Sequence, residues 1–562
     1  MNPTAPRRRF VRLLGATGLL ATSAAWLQGC GSDGDGQEVV FAHGVASGDP
    51  LADRVILWTR ATPRLDAPVE LVWQVADDAG FARPVRSGTV RATPEADFTA
   101  KVDVTGLAPG RTYFYRFGFG TLFSSVGRTR TLPAAGVSGV RLAVFSCANF
   151  PAGYFNVYAD AARQDDIDCA LHLGDYLYEY AKDGYASAQS AALGRVSEPG
   201  HELVTLSDYR RRYAQYRSDP DLQAVHAAMP MIAVWDDHEV ANNAWRDGAE
   251  NHDPASEGPY AARRAAALQA YHEWLPIRLP DPARNDRIYR SFDFGDLVSL
   301  HMLDTRLIAR DRQIDLTAYV NGSDFDAARF ATDLADPARE LLGAEQTAWL
   351  RQAIGASRAR WQMLGQQVLM ARMPVPSPLL LQTVTVSEYA RMLLKARLAP
   401  QTLTAQEQAV LAAPSVPYNM DAWDGYPNAR EAVLAMATEF DRELVVLTGD
   451  THNAWASNLQ DASGRQVGVE FAGPSVTSPG FEDIFPDEDP ALFASALEQL
   501  IGPLVYADTS RRGYLVVTAT RDEVRADWRY VSTITSRQYT TTVGKSLRTL
   551  PGSGNRRVIP VA

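Results

Sequence analysis

The sequence predicts a layered α/β protein preceded by a β-sandwich, and three observations carry that reading. From Val55 to Phe117 short β-branched and aromatic runs are separated by turn clusters. Beyond Pro133 apolar strands alternate with amphipathic helices. Several of those later strands end in a cluster of Asp, His, Cys or Asn.

The chain has 562 residues, enough for several domains and for a large core. Hydrophobic residues are 46 % and charged residues 22 %, a balance that excludes disordered, collagenous and coiled-coil classes. Lys and Arg number 55 against 66 Asp and Glu, a formal charge of −11, so no bulk basic field holds nucleic acid or an anionic membrane. An anionic substrate then needs a local attractor, for which a metal site is the natural candidate. The 3 cysteines are too few, and odd in number, for a disulfide framework.

The amino terminus reads as an export signal over residues 1–30. Arg7-Arg8-Arg9-Phe10-Val11-Arg12 precedes an apolar run from Leu13 to Leu27 that is too short and too weakly apolar for a membrane span. The arginine pair resembles a twin-arginine signal, with Pro6 where such signals usually carry Ser or Thr. Leu27-Gln28-Gly29-Cys30 resembles a lipobox, in which Cys30 would be acylated; a plain cleaved signal is the alternative. Residues 31–38 form a polar spacer.

Residues 39–133 carry the sandwich. Val55–Thr59, Leu71–Val75, Phe98–Val104 and Tyr113–Phe117 are its clearest strands. Leu107-Ala108-Pro109-Gly110-Arg111-Thr112-Tyr113 resembles the corner of fibronectin type III-like domains, where a tyrosine ties down its own loop. After a linker at Pro133–Gly136 the second domain spans 137–535, and 536–562 reads as a carboxy-terminal tail.

Within the second domain, Leu142–Phe145 ends at Ser146-Cys147 and Ile167–Leu173 ends at Gly174-Asp175-Tyr176-Leu177-Tyr178. Met231–Val234 leads to Asp236-Asp237-His238-Glu239, and Leu444–Leu447 leads to Gly449-Asp450-Thr451-His452. Each cluster alone reads as a turn. Groups at the carboxyl ends of neighbouring strands, however, converge on one rim, where sites are built. Thiolate, phenolate and imidazole favour a transition metal, the first two stabilising the ferric state. Asp237, Asp450 and a shared Asp175 make a harder neighbour fit for Ca²⁺, Mg²⁺ or Mn²⁺. Two such cations bind a phosphoryl group and acidify a bridging water, so ester hydrolysis by a metal-bound hydroxide needs no protein nucleophile. His238, beside Asp237, is placed to give a proton to the leaving alkoxide. Cys147 is then a ligand, with a small buried hydrophobe as the alternative.

At this point the residues carry a resemblance. From about Phe41 to Val531 the chain resembles the PhoD-type alkaline phosphatases and phosphodiesterases. The blocks are Phe41-Ala42-His43-Gly44-Val45-Ala46-Ser47-Gly48-Asp49-Pro50, Phe145-Ser146-Cys147-Ala148-Asn149-Phe150, Leu171-His172-Leu173-Gly174-Asp175-Tyr176-Leu177-Tyr178-Glu179-Tyr180, Trp235-Asp236-Asp237-His238-Glu239-Val240, Leu303-Asp304-Thr305-Arg306, Asp421-Ala422-Trp423-Asp424 and Leu447-Thr448-Gly449-Asp450-Thr451-His452, in the family's order.

The resemblance implies a four-layer metallophosphatase core of β-sheets flanked by helices, similar to that of purple acid phosphatases. It implies Fe³⁺ on Cys147, Asp175, Tyr178 and His452, and one or two Ca²⁺ ions, or another divalent cation, on Asp175, Asp237 and Asp450. Substrates in the family include phosphomonoesters and phosphodiesters. Ala241 and Ser457-Asn458 depart from the family pattern and bear on the preference for the divalent ion.

Arg306 and Asn242 are the substrate-binding candidates, with a structural ion pair to Asp304 as the other reading of Arg306. Tyr209, Tyr213 and Tyr216 read as a packed helix face, His172 and His301 as core histidines, and Cys169 as buried and inert. Gln366 and Gln367 read as neutral ligands or as hydrogen-bonding groups. Residues 374–417 depart from the alternating pattern and read as a lid, a substrate-selecting wall or a packing helix.

The expectation is an exported hydrolase of the periplasm or cell surface. It would be a monomer, meet the twin-arginine export machinery, touch membrane only through a lipid anchor and act on phosphate esters. A phospholipase D-like enzyme acting on lipid head groups is one alternative. A cell-surface binding protein with a degenerate hydrolase core is another, and oxidative chemistry at a dinuclear site is a third.

Overall fold

A computed structural model describes residues 38–321 and 324–561. The proposed signal, Cys30 and nearly all of the spacer lie outside the described residues. Among the described residues no helix is long and apolar enough to cross a membrane.

The amino-terminal unit consists of β1 (Val45–Gly48), β2 (Arg54–Arg60), β3 (Val69–Ala76), β4 (Pro84–Ala92), β5 (Thr99–Thr105), β6 (Thr112–Phe119) and β7 (Gly127–Arg130). One sheet runs in the order β7-β6-β3-β4, and β1, β2 and β5 face it. The alternation seen in sequence packs Val55, Leu57, Leu71, Val75, Tyr115 and Phe117 into one core between them. The Ala108 amide donates to the Tyr113 hydroxyl at 2.9 Å, which makes the expected tyrosine corner.

The second unit opens with β8 (Gly139–Phe145), α1 (Asn156–Ala162), β9 (Cys169–His172), α2 (Leu206–Arg217), α3 (Pro220–Ala228), β10 (Met231–Ala233) and α4 (Tyr260–Trp274). It continues through β11 (Arg290–Phe294), β12 (Val298–Met302), α5 (Gly343–Ala356), β13 (Trp361–Gln366), α6 (Val386–Leu398), α7 (Pro427–Glu439) and β14 (Glu443–Thr448). β15 (Ala454–Gln460), β16 (Gln466–Ala472), α8 (Pro490–Leu500), β17 (Leu504–Asp508), β18 (Gly513–Thr520), β19 (Val524–Val531), β20 (Thr541–Thr549) and β21 (Ile559–Pro560) complete it.

Two large sheets face each other. One is ten-stranded, β21-β20-β19-β18-β8-β9-β10-β1-β2-β5, and the other is seven-stranded, β11-β12-β13-β14-β16-β15-β17. At the centre of each the strands are parallel, β8-β9-β10 in one and β12-β13-β14-β16 in the other. That is why β9, β13 and β14 are buried along their whole length. Val144, Leu171, Met302, Met363, Leu447 and Trp528 share the core between the sheets, which also takes in Tyr158, Tyr209 and Val225 from the helices outside the first sheet. Leu350, Leu434 and Leu497 cover the outside of the second sheet. The result is the expected four-layer order of helix, sheet, sheet and helix.

Two boundaries differ from the sequence reading. Met231 of β10 pairs with Gly48 of β1, so half of the amino-terminal sandwich continues a sheet of the second unit. The tail expected at 536–562 supplies β20 and β21, with β20 pairing β19 from Val524↔Thr549 to Val531↔Thr541. Its pattern Thr541-Thr542-Val543-Gly544-Lys545-Ser546 is polar enough to resemble a tail, yet its β-branched residues suit the edge that β19 would otherwise expose. Residues 374–417 fold as a short antiparallel pair, Pro374–Pro376 with Ser415–Pro417, enclosing α6 and smaller helices.

Candidate metal centre and active site

The strand-end clusters do converge. Cys147 follows β8, Asp175 follows β9, Asp236 to His238 follow β10, and Asp450 and His452 follow β14. Four of these residues lie in the left-handed backbone region, Cys147 at φ 60°, Asp175 at 54°, Asp450 at 63° and His452 at 59°. Side chains other than glycine pay for that conformation, and such strain gathers where a site is held in shape.

Three groups of ligand atoms overlap, each with its members within 4.8 Å of one another: Cys147, Asp175 and His452; Asp175, Asp237 and His238; Asp236, Asp237 and Asp450. Tyr178 joins the first, its hydroxyl donating to Asp175 Oδ2 at 2.9 Å and lying 3.1 Å from His452 Nε2. His452 Nδ1 donates to the Pro479 carbonyl at 2.8 Å, which leaves Nε2 with its lone pair toward Cys147 and Asp175. The donors thus divide as their chemistry suggests, with sulfur, phenol and imidazole on one side, carboxylates on the other and Asp175 common to both.

The electrostatics suit bound cations. Burial pushes the carboxyls of Asp175 and Asp236 well above the usual range, helped by the neighbouring aspartates. Burial and the charges of Asp421 and Asp237 raise Asp450 to about 7, against the pull of Arg306 and Arg310. Asp175 Oδ1, Asp236 Oδ2 and Asp237 Oδ1 are buried without a hydrogen-bond partner. Orphaned carboxylate oxygens crowded together are what a cation would satisfy. Burial likewise raises the Cys147 thiol and the Tyr178 phenol, so both are protonated unless a metal binds them.

His238 is set apart from this crowd by a partner. Its Nδ1 donates to Glu179 Oε2 at 2.7 Å, and its ring lies over Tyr178 with centroids 4.2 Å apart. Burial opposes its charge, but Asp237, Glu179 and Asp175 outweigh burial and hold its pKa well above the ordinary value. Glu179 is itself fully buried and also accepts from the Asn242 amide at 2.7 Å and Asn251 Nδ2 at 3.0 Å. A second carboxylate, Glu239, accepts from the amides of Asp175, Tyr176 and Asp236 at 3.1, 2.5 and 2.7 Å, and so ties the loops after β9 and β10 together.

Sequence reasoning gave no role to Glu179, Glu239 or Asp236. The available signal was a buried-type context: Glu179 is the lone acid in Tyr176-Leu177-Tyr178-Glu179-Tyr180, and Asp236 and Glu239 flank the two residues that were named.

Arg306 requires a correction. Its side chain is 0 % exposed, so no face is left to clamp a phosphate. The guanidinium contacts Asp236 through Nε, Asp421 at 2.5 Å, Asp450 at 3.0 Å and Asp237 at 3.7 Å. The ion-pair reading is nearer, but with other partners, and Asp304 Oδ1 instead accepts from the amides of Arg306 and Leu307. Asn242 and Asn243 do line the polar cavity of about 420 Å³ that opens over Asp175, Asp237, His238 and Asp450.

The residues given ordinary roles hold them. His172 is buried against the Tyr158 hydroxyl, and Cys169 is fully buried. Tyr209, Tyr213 and Tyr216 are fully buried along α2. Gln367 donates to the carbonyls of Trp235 and Leu303 and makes no contact with the ligand groups.

Comparison with known proteins agrees with this geometry. A family model described as PhoD-like phosphatase matches residues 142–528, and the model of the PhoD-like phosphatase N-terminal domain matches residues 28–133. Alkaline phosphatase D of Bacillus subtilis (strain 168) is 36 % identical over 558 residues, spanning 95 % of this chain and 86 % of that protein. A solved structure described as that of PhoD superposes with a TM-score of 0.75 at 34 % identity, over 93 % of this chain and 92 % of the other.

Proposed function

The chain belongs to the PhoD-like phosphatase family and is a phosphoric ester hydrolase, and from that premise we propose how its residues divide the work. Cys147, Asp175, Tyr178 and His452 would hold Fe³⁺, and Asp175, Asp237 and Asp450 would hold one or two Ca²⁺ ions, with Asp236 alongside. The observation that carries this reading is the overlap of three donor groups through Asp175 and Asp237, with orphaned oxygens on Asp175, Asp236 and Asp237. When bound, the cations would supply positive charge to the phosphoryl oxygens and acidify water at neutral pH.

The chain's own residues do the rest. Asp237 Oδ2 accepts from the Asn243 amide at 2.6 Å, which leaves Oδ1 for a cation. His238, held by Glu179 through Nδ1, keeps Nε2 as the proton-bearing atom for the leaving alkoxide. Glu179 fixes the ring plane and favours the charged form that donates. Arg306 holds Asp236, Asp421 and Asp450 apart and in place before any cation arrives. Asn242 and Asn243 line the mouth within reach of the ester's oxygens.

Of the Ser and Thr residues, Thr451 lines the cavity, and its hydroxyl donates to the Asn453 carbonyl and accepts from Trp455 Nε1 at 2.7 Å, which supports water as the nucleophile. Arg7-Arg8 and Cys30 support export through the twin-arginine route followed by lipid anchoring. Metal analysis of the purified protein, paired with a panel of mono- and diesters, tests the assignment. Hydrolysis that disappears on chelation and returns with the divalent ion supports it, and undiminished hydrolysis by metal-free protein overturns it.

A further inference from the structure

Beside the polar cavity lies a second one of about 630 Å³, within the size range of small-molecule sites. Val375, Leu379 and Val384 line it from the 374–417 segment, and Phe485, Phe493 and Leu497 face them from the region of α8. Tyr418, Phe481 and Ile484 line both cavities, so the two adjoin along these side chains. Phe481 is the hub of that partition, with ring centroids 5.4 Å from Tyr418, 5.9 Å from Trp455 and 5.5 Å from Phe493. Ile484 is 59 % exposed although apolar, as expected of a residue that a ligand covers.

Charge narrows the occupant. Among the described residues no Lys, Arg or His lines the apolar cavity, and Asp487 and Glu488 stand at its edge. Ser387 at the start of α6 donates to Glu488 at 2.6 Å and closes the mouth on that side. A substituent carrying phosphate or carboxylate meets only like charge there, whereas a hydrocarbon loses water contact at no electrostatic cost.

We propose that this cavity receives an uncharged alkyl or aryl substituent of the phosphate ester while the phosphoryl group sits over Asp175, Asp237 and Asp450. The inference rests on the phosphoesterase reading above and adds the substrate class: esters of apolar alcohols over esters extended by further anionic groups. It also gives the 374–417 segment its work, as the wall that selects substrate.

The test is a series of p-nitrophenyl alkyl phosphate diesters with methyl, butyl and octyl chains, plus an octyl analogue ending in carboxylate, given to the metal-loaded enzyme. The expected result is a rise in kcat/KM of up to about 4-fold per methylene until the cavity fills, with the carboxylate analogue falling back to the methyl ester or below. Val384→Asp and Val384→Trp, which charge and fill the cavity from a half-buried loop position, should each bring the octyl-to-methyl ratio toward one. Rates that follow monomer concentration and do not jump when the octyl ester aggregates assign the cavity to single molecules; a jump at that threshold would mean that a lipid surface is recognised and would overturn the assignment. Equal kcat/KM across the series, with the methyl ester still cleaved, overturns the cavity proposal alone. No cleavage of any ester overturns the phosphoesterase reading and the proposal with it.

Discussion

Glu179 Oε2 lies 2.7 Å from His238 Nδ1, and both groups are buried beside the three overlapping donor sets. The pairing fixes which ring nitrogen faces the cavity. Glu179→Gln keeps the size and an acceptor oxygen but removes the charge that favours imidazolium. We expect kcat to fall about 10- to 100-fold, the range typical of lost orienting partners, while KM changes little. The steady-state split checks this, and a raised KM at unchanged kcat would mean that Glu179 serves only the loop around Asn242.

Arg306 separates a structural role from a substrate role. Buried between Asp236, Asp421 and Asp450, it balances charges that would otherwise repel. Arg306→Gln should destabilise the metal-free protein by about 3 to 5 kcal/mol, visible in a denaturant melt without substrate. A variant that melts like the parent but shows a raised KM would restore the phosphate-clamp reading.

How far these residues could be read beforehand depends on whether their role is local. Asp175 and Asp450 stand out because Gly-Asp follows a largely apolar strand in both, so the sequence alone places them at one rim. Glu179 and Glu239 do not stand out, because what they do is defined by partners 63 or 64 residues away, the amides of Asn242, Tyr176 and Asp175. The merging of the two units through Met231 and Gly48 is hidden for the same reason, since one pair of residues joins elements far apart in the chain. The strand at Thr541–Thr549 is obscured differently: strands near a sheet edge are polar, and a polar segment at the chain end resembles a tail.

His172, a core histidine outside the three donor groups, supplies a pH test. Burial lowers its pKa from 6.5 to about 3, so the folded protein holds it neutral, bonded to Tyr158. A histidine whose pKa falls on folding contributes stability that is present above 6.5 and is lost as pH falls toward 3, because the unfolded chain takes up the proton first. The loss should reach about 2 kcal/mol near pH 5 from this group. His172→Asn should flatten the slope of stability against pH between about 6.5 and 4 while leaving metal content unchanged; an unaltered slope would contradict the assignment.

Stereochemistry reports on the nucleophile. The Thr451 hydroxyl is committed to Asn453 and Trp455, and the proposed function has water attack phosphorus directly, in one displacement. A chiral thiophosphate ester hydrolysed in ¹⁸O-labelled water should invert its configuration. Retention would require a phosphoenzyme and a side-chain nucleophile.

We propose that Cys147, Tyr178 and His452 form a ferric site joined through Asp175 to a harder carboxylate site, on the strength of the donor groups that meet there. The most direct test is the iron and calcium content of the purified protein, measured with its visible spectrum, for the parent and for Tyr178→Phe and Cys147→Ser. About one iron per chain together with calcium, and a phenolate charge-transfer band in the parent, are expected. Tyr178→Phe should remove that band, and iron should be depleted in both variants. An iron-free, colourless protein with full activity on calcium or magnesium alone would show that Cys147 and Tyr178 are packing residues and would contradict the proposal.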